Sequence, residues 1–426
     1  MFNAEKEIKK WAPVLEHTDE APITDSYKKA VTAKLLENTE VALKEQAVAS
    51  NFGSLQEADG NMNTASVANF DPVLISLVRR AMPNLIAYDV AGVQPMSGPT
   101  GLAFAMKAKF GDGNAITGAP SAAQKEALFN EADTDFSGTG THAGGLFDSP
   151  AEPTIAQTGT GIAHGASEGD NIGNEMGFSI ERATVTAKTR QLKAEYTMEL
   201  AQDLKAVHGL DAESELANIL SGEILAEINR EVIRSMVVTG KVGGVGATEA
   251  FDLVADADGR WAVEKFQSLI FQIEQEANQI ALDTRRGKGN FVIASSNVAS
   301  ALAASGKLVF GGSEGLNVDA TGNTFAGTLN GRLKVYVDPY ASTDYCTVGY
   351  KGSSAYDAGM FYCPYVPLTM VRAVGENSFQ PKIAFKTRYG LIANPIIGAV
   401  DGIGAAKSNP YYRTFRVKNI NVGGQS

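Results

Sequence analysis

SIERATVTAKTRQLKAEYTMELAQDLKAVHGLDAESELANILSGEILAEINREVIRSMVV, residues Ser179 to Val238, changes its hydrophobic period partway along. Ser179 to Lys188 alternates, with Ile180, Ala183, Val185 and Ala187 as apolar positions, the period of an extended strand. From near Ala194 the pattern is helical, and a longer helix is expected from about Ala212 to Val238. There Leu220, Ile224, Ile228 and Val232 recur every four residues, beside an acidic stripe of Glu223, Glu227 and Glu231. Apolar residues cover most of the circumference, so the helix is expected to be largely buried. Its acidic edge should face either solvent or an Arg-bearing neighbour. A solvated edge is the preferred reading, because Arg230 and Arg234 lie within three or four positions and can satisfy the carboxylates locally.

Downstream, Val263 to Ala281 spaces Phe266, Ile270, Ile273, Ala277 and Ile280 as a second amphipathic helix. The turn RRGKGN (Arg285 to Asn290) leads into a strand, Phe291 to Ala294, and a short helix from near Ser296. Strand candidates then dominate: Leu333 to Val337, Cys346 to Tyr350, Phe361 to Tyr365, Thr369 to Ala373 and Ile383 to Tyr389. Upstream, Val73 to Val78 suggests a short helix ending before Pro83, Leu85 to Val90 a strand, and Leu102 to Phe110 a half-exposed strand. Between Gly111 and Gly177 lie thirteen glycines and few apolar runs. A stretch of that length without its own elements is uncommon inside a compact domain. It reads as a projecting excursion, partly a β-hairpin, that needs another chain for support. The class is α+β.

The first segment, Met1 to Glu57, is charged and helix-prone. Thr24 or Asp25 can cap a helix through Val31, Leu35, Leu36 and Leu43 to about Ala49. Its apolar stripe is thin, so the helix needs a partner. The segment carries a net −3, leaving −8 for the remainder. The polar, small-residue run Ala58 to Asn69 reads as an exposed linker of the kind proteases cut.

Of the 426 residues, 44% are hydrophobic and 20% charged, the balance of a globular protein. No apolar run approaches the roughly eighteen residues of a membrane span, and the mixed-charge start excludes an ordinary secretory signal. The net charge of −11 argues against tight nucleic-acid binding; a container wall that does not stick to its cargo would have this balance. Cys346 and Cys363 are too few for a disulfide framework and read as buried thiols.

No catalytic constellation stands out. His17, His142, His164 and His208 are far apart and fit no metal-ligand pattern. No G-x-S-x-G elbow is present. The glycine clusters Gly138 to Gly145, Gly243 to Gly246 and RRGKGN lack the strand, helix and Lys-Ser or Lys-Thr of a phosphate loop. They read as turns. No enzyme, metal or cofactor is expected.

Several long, collinear stretches resemble the major capsid protein, the precursor of the head protein, of T-even-type tailed bacteriophages (myoviruses). They are LVRRAMPNLIAYDVAGVQPMSGPTGLAFAMK (Leu77 to Lys107), KVYVDPYA (Lys334 to Ala341), VGYKGSSAYDAGMFYCPYVPL (Val348 to Leu368) and RYGLIANP (Arg388 to Pro395). Glu181 to Leu220 resembles that family's passage from strand to spine helix. The resemblance implies the Hong Kong 97-type capsid fold, divided as follows: a propeptide, 1–57; an N-terminal arm, 58–95; an extended loop with reduced insertion, 96–178; a peripheral domain with the spine helix, 179–294; an axial domain, 295–372; and a C-terminal return to the peripheral domain, 373–426.

It implies a homo-oligomer of hexamers in an icosahedral or prolate head that encloses double-stranded DNA without sequence-specific binding. Its partners would be a vertex protein, a scaffolding core, a prohead protease, a portal and decoration proteins. The place would be the virion, assembled in the host bacterial cytoplasm, with no membrane contact. In the family the protease cuts after an apolar residue, any residue, then Glu. Leu55-Gln56-Glu57 fits beside the linker, so cleavage is expected between Glu57 and Ala58; Leu35-Leu36-Glu37 fits the letters but lies mid-helix. The alternatives are the related pentameric vertex protein and, in another class, an encapsulin-like cellular nanocompartment shell, against which the N-terminal segment argues.

Overall fold

The computed structural model describes residues 5–16, 23, 25–51, 85–111, 127, 134–140, 158–168, 175–244, 249–257, 261–309, 324–354, 356–375, 380–394 and 402–420. The expected α+β class is the class observed. A four-stranded sheet runs in the order β1 (Gly92–Val93), β12 (Met360–Val374), β13 (Pro381–Ala393), β4 (Lys188–Glu195). An eight-stranded sheet runs β5 (Gly240–Val242), β14 (Asn409–Lys418), β11 (Tyr345–Gly349), β7 (Phe291–Ser295), β10 (Leu333–Asp338), β9 (Thr324–Leu329), β8 (Leu308–Val309), with β6 (Ala250–Asp252) also on β14. A separate antiparallel ribbon pairs β2 (Thr100–Phe110) with β3 (Met176–Thr186).

Helix α6 (Ala212–Thr239) joins the two large sheets. Leu220, Ile224, Ile228, Val232 and Met236 are buried in one cluster that takes Tyr362, Phe385 and Tyr389 from the four-stranded sheet and Phe291, Ile293 and Tyr412 from the eight-stranded one. The four-residue recurrence seen in the sequence is therefore one wall of a shared core. Alternate residues of β7 serve opposite faces: Phe291 and Ile293 meet the α6 cluster, whereas Val292 and Ala294 meet α7 (Ala262–Thr284) and α8 (Ser296–Ala304). A strand buried on both faces reads as a continuous apolar run, as FVIA does.

Two local expectations are corrected by tertiary contact. Leu85 to Val90 is not a strand; Ala87–Val90 is a single helical turn, α3, closed by Ala91 N donating to Ala87 O at 2.9 Å. Its entry is held by the side chain of Asn229, which accepts from Ile86 N at 3.1 Å. Short apolar runs do not reveal their period. Residues 188–195, expected to pass into helix near Ala194, form edge strand β4 on β13. Helix α5 (Met198–His208) starts only after its N-cap, Thr197, which accepts from Leu200 N at 3.3 Å. An isolated turn, α4 (His164–Ser167), lies between β2 and β3 in the chain.

The expected strands at Phe361–Tyr365 and Thr369–Ala373 are one strand, β12, with register shifts around Pro364–Thr369. Pro364 and Pro367 lack the N–H a ladder needs, which makes one bulged strand look like two in sequence. The sheets draw their strands from separated parts of the chain. The 179–294 stretch supplies β4 to one sheet and β5, β6 and β7 to the other; β12 runs across the 372 boundary; and β14, within 373–426, returns to the eight-stranded sheet. Hydrogen-bond partners, not chain order, set these units.

Helices α1 (Glu5–Leu15) and α2 (Ser26–Asn51) pack on each other and α2 packs on β12. Asp25 begins α2, its carboxylate accepting from Tyr27 N at 2.9 Å. The partner that the thin apolar stripe requires is the body of the same chain: Trp11, Leu15, Val31, Leu35 and Leu36 join the α6 cluster. Beneath this pair lies Lys351, whose ammonium donates to the Tyr88 carbonyl. Burial pushes Lys351 down from 10.5 to about 8, with Asp89 and Asp25 opposing and Lys28 and Lys334 adding to the shift.

Two outcomes are expected for the unassembled subunit. A Cβ at Gly349 would lie 2.2 Å from Phe291 Cζ, whereas one at Gly222 in α6 meets nothing within 4 Å. In urea unfolding, Gly349→Ala should cost about 1–3 kcal/mol and Gly222→Ala should add about 0.5–1 kcal/mol; equal effects would refute the assignment. For Lys351, the unfolded chain binds more protons than the folded one between pH 8 and 10.5, so its contribution to stability rises with pH across that window. The stability of the natural chain relative to Lys351→Met should climb by roughly 1 kcal/mol per pH unit from pH 8 to 10; a flat difference would contradict the burial.

Candidate functional site

The alternation seen from Ser179 places one set of β3 side chains on a single face of the ribbon. Residues facing each other across an antiparallel pair share a face. Here Met106 faces Ile180, Phe104 faces Arg182 and Leu102 faces Thr184. Leu102, Phe104, Met106, Met176, Phe178 and Ile180 are all more than half exposed, Phe104 at 65% and Phe178 at 62%. The other face is different near the root, where Ala183 and Val185 are buried against Phe361, Cys363 and Ile392. The ribbon is thus anchored at one end, and between there and Phe110, which packs on Phe136 with ring centroids 4.5 Å apart, these six apolar side chains are exposed among the described residues. An exposed apolar patch of this extent marks an interaction surface.

The acidic edge of α6 is solvated as preferred from sequence at Glu223 and Glu227, and it also meets an arginine from another element. Arg190 on β4 is the Arg-bearing neighbour, with Nη1 2.8 Å from Glu227 and Nη2 2.5 Å from Glu231. Tyr389 OH donates to the same Glu231 carboxylate at 2.5 Å. Arg230, assigned from sequence to a local role, instead reaches β10, where its Nη1 lies 2.5 Å from Asp338. Asp338 has a fully buried side chain and also accepts from Tyr345 OH at 2.6 Å. Partners separated by about 40 and 108 positions leave no trace in helical spacing, so only pairing in space could find them. A third charge cluster ties α7 to β14: buried Glu276 accepts from Arg413 Nε and from Gly244 N at 2.8 Å.

Candidate chemistry from sequence is placed as follows. Cys346 and Cys363 are buried free thiols, and burial pushes Cys363 up to about 12. In RRGKGN the glycines serve packing: a Cβ at Gly287 would meet the Tyr350 ring at 2.5 Å and one at Gly289 would meet Ala277 at 3.1 Å. Among the described residues, no group of three or more His, Cys, Asp or Glu could hold a metal ion, and no helix is long and apolar enough to cross a membrane. The processing residues Leu55, Glu57 and Ala58 lie outside the described residues. The competing Leu35-Leu36-Glu37 sits within α2, with Leu35 and Leu36 fully buried and Glu37 paired to Lys10 at 2.7 Å. A protease has no extended backbone to bind there.

These features belong to a subunit that is made to meet other subunits, and the comparisons agree. The family profile described as Major capsid protein Gp23 matches residues 67–417. The chain is similar to the major capsid protein of Salmonella phage ViI, at 43% identity over 97% of both chains. It is similar to that of Enterobacteria phage T4, at 36% identity over 97% of this chain and 98% of the relative. The capsid vertex protein of phage T4 matches at 31% over 53% of this chain and 54% of that one. An interaction ribbon, a core built around one long helix and these full-length matches lead to one conclusion: the chain belongs to the Gp23 family of major capsid proteins of T4-like phages.

Proposed function

We propose that this capsid protein forms the hexamers of a phage head enclosing double-stranded DNA, and is made as a precursor that a prohead protease trims between Glu57 and Ala58. The observation that carries the assembly reading is the ribbon. Six large apolar side chains on one face have no place in a free subunit, and a neighbouring copy is the partner present in every shell. Large interfaces between subunits take over work that an intrachain core would otherwise do. The reading as hexamer former, not pentameric vertex protein, is supported by the longer and closer match to major capsid proteins than to the vertex protein.

In a Hong Kong 97-type subunit, the four-stranded sheet with α6 takes the role of peripheral domain and the eight-stranded sheet with α7 and α8 that of axial domain. The β2–β3 ribbon takes the role of the extended loop. Residues 1–57 are the removable segment facing the scaffolding core. The portal, vertex and decoration proteins are partners of the finished shell.

Expressed protein viewed by electron microscopy should yield shells, sheets or tubes. Phe104→Asp combined with Phe178→Asp should abolish them while the far-ultraviolet dichroism of the soluble subunit is retained; assembly undiminished by two charges on that face would refute the role of the ribbon. For processing, intact-mass measurement of virion subunits should give a chain beginning at Ala58, and Glu57→Gln should leave the precursor uncut. Persistence of Met1 to Glu57 in mature virions would sink the processing reading.

A further inference from the structure

The N-terminal helices do more than fill a groove, because two side chains of α2 reach the backbone where the ribbon begins. Asn38 uses its amide twice, donating to Met96 O at 2.9 Å and to Tyr365 O at 2.8 Å. Met96 lies in the short link between β1 and β2, and its sulfur would be 3.2 Å from a Cβ placed on Gly101, the second residue of β2. Tyr365 lies in the bulged part of β12 between Pro364 and Pro367, where the ladder with β13 shifts register. One amide therefore bridges the ribbon's root to a carbonyl at an irregular point of the sheet. Tyr27 adds a second bond, its hydroxyl donating to Val93 O, at the end of β1.

Around these bonds the fit is continuous. Lys28 lies 5.7 Å from the Tyr88 ring centre and 3.7 Å from Asp89. Val31, Leu35 and Leu36 close the apolar side. The helices are themselves paired by Lys10 with Glu37 and Glu40, and by Lys34 with Glu7.

We propose that the α1–α2 pair is a latch acting within its own chain, seated on β12 and the β1–β2 link, and that Asn38 and Tyr27 fix the root of the ribbon through backbone carbonyls. The seat is a binding site for an amphipathic helical pair. Its occupant is the pair Glu5–Leu15 and Ser26–Asn51 of this chain. While the pair is seated, the link from Val93 to Met96 is held on both sides, by β12 through Gln94 N to Tyr362 O and Met96 N to Pro364 O, each at 2.9 Å, and by α2. When the pair leaves, one side is freed and the ribbon can change its angle to the body. The latch rests on these contacts, not on the processing reading, which supplies only the occasion for release. Every contact named here is non-covalent, so a cut after Glu57 does not by itself unseat the helices.

The test uses the full, uncut chain as unassembled subunit. Hydrogen exchange should be followed at Gln94 and Met96, with α6 and β13 as internal references, in Asn38→Ala, Tyr27→Phe and the double variant. Each single variant should speed exchange at Gln94 and Met96 by about five- to tenfold, the scale of one lost hydrogen bond, with reference amides unchanged. Lys10→Gln, which touches only the pairing of α1 with α2, should leave the two amides at their natural rates. Unchanged exchange at Gln94 and Met96 in the double variant would overturn the latch. So would acceleration spread equally over α6 and β13, which would make the contacts general packing. Tyr27→Phe removes one oxygen only, so it keeps the test decisive if Asn38→Ala fails to fold. No cleavage enters this experiment, so its failure leaves the processing reading standing and the reverse also holds.

Discussion

The burial of α6 between two sheets is the constraint from which the rest of this subunit follows. The helix keeps one exposed edge, along Ile219, Glu223, Glu227 and Arg234, and its remaining, apolar positions must be given walls. The four-stranded sheet supplies one, the eight-stranded sheet another and the N-terminal helices add to the same cluster. The two sheets are then fastened to the helix by charge as well as by apolar contact. Arg190 takes the acidic edge from the β4 side, and Arg230 crosses to Asp338 on β10. Burying a carboxylate such as Asp338 is costly unless it is paired and hydrogen-bonded, and here it has both an arginine and a tyrosine hydroxyl. Such fastenings set the relative position of the two sheets more sharply than oily contact alone would.

The ribbon shows the complementary principle. Its root is held by ordinary core packing, through Ala183 and Val185, whereas Leu102, Phe104, Met106, Phe178 and Ile180 of its apolar face are exposed among the described residues. That division of labour suits a shell protein. The body must be stable before assembly, and the arm must stay unsatisfied until a neighbour arrives. The price is an exposed patch of the kind that invites aggregation, and a second contact near its base gives a way to control when the arm takes its final angle.

The N-terminal segment joins the two themes. Its net −3 and thin apolar stripe suggest a segment with little claim on the body, yet Val31, Leu35 and Leu36 are among its most deeply buried side chains. A narrow stripe suffices because only one side of α2 meets β12, while ion pairs to α1 cover another. A segment held in this way is both removable in principle and structurally consequential while present.

Much was legible without coordinates. The α6 and α7 helices, the β7, β10 and β11 strands and the β2 strand all carry periods that side-chain burial imposes directly on the sequence. The family was legible too, since long collinear stretches such as Val348 to Leu368 retain both packing and turn residues. Tertiary structure decided what local period cannot encode. Leu85 to Val90 became a helical turn because Asn229, over a hundred positions away, holds its start; β4 became a strand because β13 offered an edge; Arg190 meets Glu227 and Glu231 across from its strand, and Arg230 meets the buried Asp338 of β10 in place of a carboxylate on its own helix. Periodicity reports which face of an element is apolar. Which partner covers that face, and which charge answers which, depends on distances in space that sequence spacing does not contain.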